Sequence, residues 1–473
     1  MLKLYNTATK SLQEFNPVKP KEVGVYSCGP TVYWNQHIGH MYAYVQWDAM
    51  VRLLRYLGYQ VKWVMNVTDV GHMTSDEDTG EDKMEKGAKR EGVSVWEIAD
   101  KYIAQFVESL KLLNIDGPDV LARATKHIRE QIALAQKIEK NGFTYETKRG
   151  LVFDTQKFAD YAKFARLDLE KQKTAARDEV EVDPEKKVPW DFFLWVKDPA
   201  HTMKWESPWG VGYPGWHLEC TAMSTKYLGE VFDIHTGGIE HIAVHHTNEV
   251  AQGFGAFGRQ TANYWLHNGW LMGSGGEKMS KSLGNYVTAQ ELVTKGYDPL
   301  AMRYLILNSH YRKGLNFSWE ALKGAVAALQ NLRSIVSGLN APGSQRTELS
   351  QDKLEAIEKY RTRFIGALED DLNFPMALGV MWEMLRSSIP SIDKYDLLLD
   401  FDDVFGLNLR YQFCEQAPEA VIKLAEQRKE ARAQKDWVKS DQVRKEIEIL
   451  GYSVEDTQEG YKLRKLNESV AEK

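Results

Sequence analysis

At 473 residues the chain is too long for one core of ordinary size and implies about three domains, and its 43% hydrophobic and 27% charged residues give the balance of a globular protein. No apolar run approaches the roughly 18 residues of a membrane span, which excludes a membrane protein. A net charge of −6 argues against general coating of nucleic acid, though not against binding one shaped RNA, and three cysteines, Cys28, Cys220 and Cys414, do not make a disulfide framework.

Met1 to Phe15 has neither the basic nor the apolar region of a secretory signal, so a cytoplasmic location is expected. Val23 to Ser27 reads as a strand entering a turn at Gly29-Pro30. Apolar residues at helical spacing from Met41 to Leu57, among them Ala43, Trp47, Met50, Leu53 and Leu54, predict a helix stopped by Gly58. Gln60 to Asn66 follows as a second strand. Strand, helix, strand implies an α/β protein with a doubly wound parallel sheet, whose ligands sit beyond the carboxyl ends of the strands, where Cys28 to His40 would lie.

Residues 118–200 are charge-rich, above all from Lys171 to Lys187, and read as an insertion between a first half of the sheet domain, 1–117, and a second half, 201–260. A connecting segment, 261–315, carries the Gly-rich loop Gly273-Ser-Gly-Gly276, expected to be a mobile surface element. Over 316–405 the pattern becomes helical, with Ala325, Val326, Leu329, Leu332 and Val336 on one face, and 406–473 forms a last, small unit.

His37-Ile38-Gly39-His40 stands between the first strand and its helix. A helix N-terminus offers N–H groups to phosphate, two imidazoles can donate to it, and glycine lets a nucleotide approach the backbone. Lys278-Met279-Ser280-Lys281-Ser282 follows the Gly-rich loop, where two lysines could neutralise charge developing on the α-phosphate and the leaving pyrophosphate of a triphosphate. Each alone is unspecific, reading as two surface histidines or a solvated basic loop. In this order in one chain, they resemble the signatures of class I aminoacyl-tRNA synthetases.

A third group narrows the substrate. Cys28 lies at the mouth of the first strand, Cys220 follows Pro214-Gly-Trp-His-Leu-Glu219, and His245 and Glu249 are spaced to share one helix face. Two thiolates, an imidazole and a carboxylate make a tetrahedral zinc set. His241 or His246 could replace His245, which is placed first because its i, i+4 spacing aligns it with Glu249. Taken singly, each cysteine reads as a small buried hydrophobe.

The stretches Tyr26-Ser-Cys-Gly-Pro-Thr-Val-Tyr33, Trp205-Glu-Ser-Pro-Trp-Gly210, Pro214 to Cys220, Asp233-Ile-His235, His245-His-Thr-Asn-Glu249, Lys278 to Asn285 and Asp370-Asp-Leu-Asn-Phe-Pro375 together resemble the cysteinyl-tRNA synthetases over nearly the whole chain. The resemblance implies a class I, Rossmann-type parallel sheet with an insertion, then a helical bundle and a small anticodon-binding domain. It implies activation of L-cysteine by ATP and transfer to tRNA(Cys), with one zinc ion per chain held by Cys28, Cys220, His245 and Glu249, and magnesium accompanying ATP. His37, His40, Lys278 and Lys281 would be catalytic, Gly39, His40 and Lys281 would contact ATP, and Gly29, Thr68, Trp216 and His235 would contact substrate, with Trp216 closing over it. The family more often has Gly where Thr236 stands and Glu where Thr247 stands.

Four protein ligands usually mean a closed structural zinc site, and a substrate sulfur entering as fifth ligand resolves that tension. In the last unit, Trp437 could stack on an anticodon base while Arg432 with Asp441 or Asp456 reads base edges; the alternative is a solvated helix with Trp437 as its core anchor. Rival functions are a ligase joining cysteine to an amino sugar, disfavoured by the long C-terminal region, and a non-catalytic zinc protein that binds RNA, disfavoured by both nucleotide signatures. Cys414 reads as a plain thiol, and a monomer is expected.

Overall fold

A computed structural model of the chain describes residues 1–71, 82–167, 183–277, 279, 286–339, 350–410, 418–434, 436–457 and 460–465. Lys278, Lys281 and Cys414 lie outside the described residues. Strands β1 (Lys3–Asn6) and β2 (Ser11–Glu14) form an antiparallel hairpin. β3 (Glu22–Ser27), β4 (Gln60–Val67) and β5 (Val120–Arg123) then pair in parallel. β6 (Thr144–Thr147), β7 (Gly150–Phe153), β8 (Phe192–Lys197) and β9 (Gly212–Pro214) build a separate antiparallel sheet in that order. β10 (Phe232–Gly238) and β11 (Ala262–Asn268) complete the parallel sheet, whose order is β11-β10-β3-β4-β5.

That order has a consequence for ligands. From β3 the chain moves outward to β4 and β5, then returns to β10 on the other side of β3, so the winding reverses between β3 and β10. A crevice opens at the carboxyl ends of strands where that happens. The segment 118–200, expected as an insertion, first contributes β5 to this sheet, Val120–Arg123 lying beside Val64–Val67, before the antiparallel sheet begins. Four residues amid charges carry too short a pattern to read as a strand.

The sheet is covered on both faces, as alternation along its strands requires. Val25, Trp63, Met65 and Ile234 face the helices Ile38–Tyr56 and Val95–Leu112, whereas Tyr26, Val64, Ala122 and Phe232 face the helices Ile128–Lys140, Trp216–Leu228 and Thr247–Phe257. The helix expected over 41–57 starts three residues earlier, capped by His37, and Gly58 ends it at φ 87°.

β12 (Leu271–Met272) and β13 (Leu315–Asn316) make a short parallel pair beside the sheet. The helices Trp319–Leu339, Gln351–Glu369, Phe374–Arg386 and Ser391–Phe405 follow, their core including a Phe364–Phe401 stack with centroids 3.9 Å apart. Ala325, Leu329, Leu332 and Val336 are buried, as their spacing predicts. Leu407 and Leu409, 0% and 2% exposed, also pack into this core. The helices Glu419–Ala433 and Trp437–Ile449 and the hairpin of β14 (Tyr452–Thr457) with β15 (Gly460–Lys465) have a small core of their own, built on Val421, Ala425, Val443, Ile447, Tyr452 and Val454. Among the described residues, no helix is long and apolar enough to cross a membrane.

Candidate active site

A cleft of about 710 Å³ occupies the crevice at the carboxyl ends of β3, β4, β10 and β11. Its walls include Cys28 and Gly29 after β3, Thr68 after β4, Glu240 after β10, Trp270 after β11, and the His37–His40 turn. Gly29 has no room for a side chain, since a Cβ there would lie 1.6 Å from the Asn66 carbonyl oxygen. Its N–H donates to Asn66 Oδ1 at 2.8 Å, fixing the two strand ends together.

The four residues expected to hold a metal converge at the cleft, Cys28, Cys220 and His245 lining it and Glu249 buried behind them, with donor atoms all within 4.8 Å of one another. Cys28 Sγ and Cys220 Sγ are 3.9 Å apart, His245 Nε2 is 3.4 Å from Cys220 Sγ, and Glu249 Oε1 is 3.1 Å from His245 Nε2. Tetrahedral bonds of about 2.0–2.3 Å place donors roughly 3.3–3.8 Å apart, so the set is close to the size a zinc ion requires. Glu249 Oε1 is buried and receives no hydrogen bond, which fits an oxygen aimed at a cation. Burial raises the Cys28 thiol above its ordinary pKa and pushes Cys220 well up. Burial alone would lower His245, yet Cys220 and Glu249 raise it to about 10; burial alone would raise Glu249, yet His235 and His245 hold it at about 2. The pocket thus favours positive charge at the point where these donors meet.

A second set, Cys28, His235, His246 and Glu249, is as compact. Cys28, Cys220 and His245 line the cleft, but His235 and His246 do not; both are fully buried behind it. His235 Nε2 is 3.0 Å from Glu249 Oε2, and its ring stacks on Trp265 at 4.4 Å. His235, expected among the substrate contacts, therefore sits beneath the carboxylate. His246 Nε2 is 3.2 Å from Cys28 Sγ, and its Nδ1 is 2.7 Å from His267 Nε2. His217 Nδ1 lies 3.0 Å from His245 Nδ1. Sequence spacing missed His217 and His267, which come from other elements. His241 also reaches the cleft wall, and its pKa is lowered to about 4 by burial and then by His245. A π-helical turn, Ile242–His246, leads into the helix Thr247–Phe257 and brings adjacent His245 and His246 to this centre; such turns recur at functional sites.

Trp216 opens its helix at the cleft wall with its ring 4.7 Å from His245, and Lys83 Nζ is 5.7 Å from the indole centroid. Thr68 donates to the buried Glu219 carboxylate at 2.8 Å. Thr236 donates to the Ser27 side-chain Oγ at 2.8 Å and Thr247 to the Ile242 carbonyl at 2.7 Å, so both hydroxyls are engaged within the fold. Across the cleft, His37 caps the helix Ile38–Tyr56, its Nδ1 accepting from the Gly39 N–H at 2.9 Å. The His37 and His40 rings lie 3.9 Å apart. Burial, and then His40, lowers the His37 pKa to about 2, leaving a neutral ring whose Nε2 carries the proton.

In the last unit, Arg432 Cζ stands 5.3 Å from the Trp437 ring centroid, and Trp437 is 55% exposed. It is no core anchor. Asp441 is exposed on the same helix, and Asp456 lies in β14.

A parallel sheet with a switch-point cleft, and a histidine-capped helix opening into it, define an α/β nucleotide-binding fold of the class I synthetase kind. Residues 14–327 match the family "tRNA synthetases class I (C) catalytic domain". The chain is 44% identical to "Cysteine--tRNA ligase 1" of Burkholderia lata, covering 98% of this chain and 96% of that one, and 42% identical to "Cysteine--tRNA ligase" of Treponema denticola, covering 96% and 98%. The chain belongs to the cysteine--tRNA ligase family of class I aminoacyl-tRNA synthetases. In fold it is also similar to the Mycobacterium tuberculosis methionyl-tRNA synthetase in complex with methionyl-adenylate (TM-score 0.57, 16% identity, 89% of this chain and 96% of that one). The Agrobacterium radiobacter K84 agnB2 LeuRS in its ternary tRNA–LeuAMS complex gives a TM-score of 0.59 at 11% identity, over 86% of each chain.

Proposed function

We propose that the chain activates cysteine with ATP, forming cysteinyl adenylate and pyrophosphate, and passes the acyl group to a terminal ribose hydroxyl of tRNA(Cys). The observation that carries this reading is the convergence of Cys28, Cys220 and His245, on the wall of the cleft that His37 and His40 face, with Glu249 directly behind them. A zinc ion held by those four residues supplies affinity for a thiolate over a hydroxyl. Burial of His235 and His246 behind the cleft, and their absence from its wall, support this set over the alternative.

The chain's own residues divide the remaining work. Trp216 covers the cysteine, and Gly29 and Thr68 shape the floor on which it lies. His37, through its Nε2–H, and His40 orient the ATP phosphates at the helix N-terminus, Gly39 leaving room for the nucleotide. His37 must give up or share its bond to the Gly39 N–H if phosphate is to use that donor. Lys278 and Lys281 neutralise charge on the leaving pyrophosphate, with magnesium accompanying ATP. Attack by the cysteine carboxylate on the α-phosphate is then a matter of alignment and charge. Exposed Trp437 with Arg432, and Asp441 and Asp456 nearby in sequence, favour anticodon contact.

Elemental analysis with cysteine-dependent ATP–pyrophosphate exchange tests the reading. One zinc per chain is expected, and Cys28→Ser should lose metal and exchange activity together. A Cys28→Ser protein with full zinc and normal exchange would contradict the ligand assignment.

A further inference from the structure

The loop 309–314, between the helix Pro299–Leu307 and β13, is where the helical bundle meets both walls of the cleft. On one side, the Tyr311 carbonyl accepts from Tyr42 Oη at 3.2 Å, Tyr42 standing just after Met41, the residue that follows His40 on the same helix, and Gln46 donates to the Ser309 carbonyl at 3.1 Å. On the other side, the same Tyr311 carbonyl accepts the Gly269 N–H at 2.8 Å, and the Trp270 carbonyl accepts the Leu315 N–H at 2.9 Å. Gly269 and Trp270 line the cleft immediately before β12. One peptide group therefore joins the histidine-bearing helix to the opposite wall.

What holds this loop comes from the bundle. Asp371 and Leu372, between the helices Gln351–Glu369 and Phe374–Arg386, have φ of 56° and 58°, a left-handed conformation that L side chains rarely adopt. Its side chain, 5% exposed, accepts at Oδ1 from the Tyr5 N–H and Tyr311 Oη, both at 2.8 Å, and at Oδ2 from Arg312 Nε at 2.7 Å and Nη2 at 2.5 Å. His310 Nε2 is 3.7 Å away. A carboxylate with both oxygens doubly engaged, one by a bidentate guanidinium, fixes the loop far more tightly than a neutral contact would.

We propose that Asp371 is a positioning residue for adenylate formation: by holding Tyr311 and Arg312 it sets the separation between the His37–His40 helix and the Gly269–Met272 wall, the two sides between which ATP lies. The proposal rests on the reading of this cleft as an ATP site. Asp371→Asn keeps the size of the side chain but turns an N–H₂ toward one pair of donors, so one pair loses its acceptor. Tyr311→Phe removes a single hydroxyl and leaves the ring packed.

The test is steady-state pyrophosphate exchange by the full-length, zinc-loaded protein. Asp371→Asn should lower kcat/KM for ATP by about tenfold while KM for cysteine and zinc content stay within about twofold, and Tyr311→Phe should move the same parameter the same way by less. Two results overturn the proposal: variants with normal zinc content that keep wild-type kcat/KM for ATP, or ATP and cysteine parameters that fall alike, which marks general loosening. If Asp371→Asn does not fold, Tyr311→Phe decides by the same criteria. Absence of cysteine-dependent exchange in the wild type would instead refute the reading of the cleft.

Discussion

Glu249 shows how one buried side chain organises the centre: one oxygen faces His235 behind the cleft, and the other faces the point where Cys28, Cys220 and His245 meet. The residue types that cluster here were legible because thiol, imidazole and carboxylate are the donors zinc takes, and i, i+4 spacing put His245 and Glu249 on one face. The choice between His245 and His246 was not, since adjacent residues on a π-helical turn can both point inward. His245→Ala should therefore lose zinc on dialysis, whereas His246→Ala should retain it, weakened by no more than about 10–100-fold as for an outer-sphere partner; elemental analysis of both variants separates the two sets. His37 carries a separate expectation. Its pKa is about 2 in the folded chain against an ordinary 6.5, so only the unfolded chain takes up its proton between those values, and stability is complete above pH 6.5 and lost as pH falls through it. His37→Gln should flatten the decline in urea midpoint between pH 7 and 5; an unchanged decline would show that the ring is protonated in the folded state.

Among the elements, β3, its helix and β4 were legible because each carries a regular apolar pattern, the helix being stopped by Gly58. β5 was not, being four residues long and recognisable only from its pairing with β4. Nor could spacing show that Gly29 is pressed against Asn66, because that contact joins two strand ends. Gly29→Ala places a methyl 1.6 Å from the Asn66 carbonyl, and with backbone on both sides neither strand end can yield cheaply. A loss of about 3 kcal/mol or more is expected, with loss of exchange activity, since Cys28 rides on the same strand end; denaturant unfolding measures the first and pyrophosphate exchange the second.

Over the whole molecule, the sheet and bundle share one core and the C-terminal unit has its own. The boundary before the C-terminal unit was drawn at 406 from the resemblance to an anticodon-binding domain, but Leu407 and Leu409 pack into the bundle core and their N–H groups donate to Asp402 at 2.7 and 2.6 Å. A truncation that respects the packing ends at Arg410. Such a chain should retain cysteine-dependent exchange and lose most aminoacylation, because the removed unit has its own core and carries Arg432 and Trp437; an equal fall in both activities would contradict that division. Discrimination against serine bears on the cleft itself. A pocket reading shape alone would separate cysteine from serine by only about 10², whereas zinc selects a thiolate that forms near neutral pH over a hydroxyl that does not. The deciding measurement is ATP–pyrophosphate exchange by the zinc-loaded, full-length protein with cysteine and with serine in parallel: robust exchange with cysteine and negligible exchange with serine is expected, and comparable exchange with both, or none with cysteine, would contradict a zinc-selected cysteine activation in this cleft.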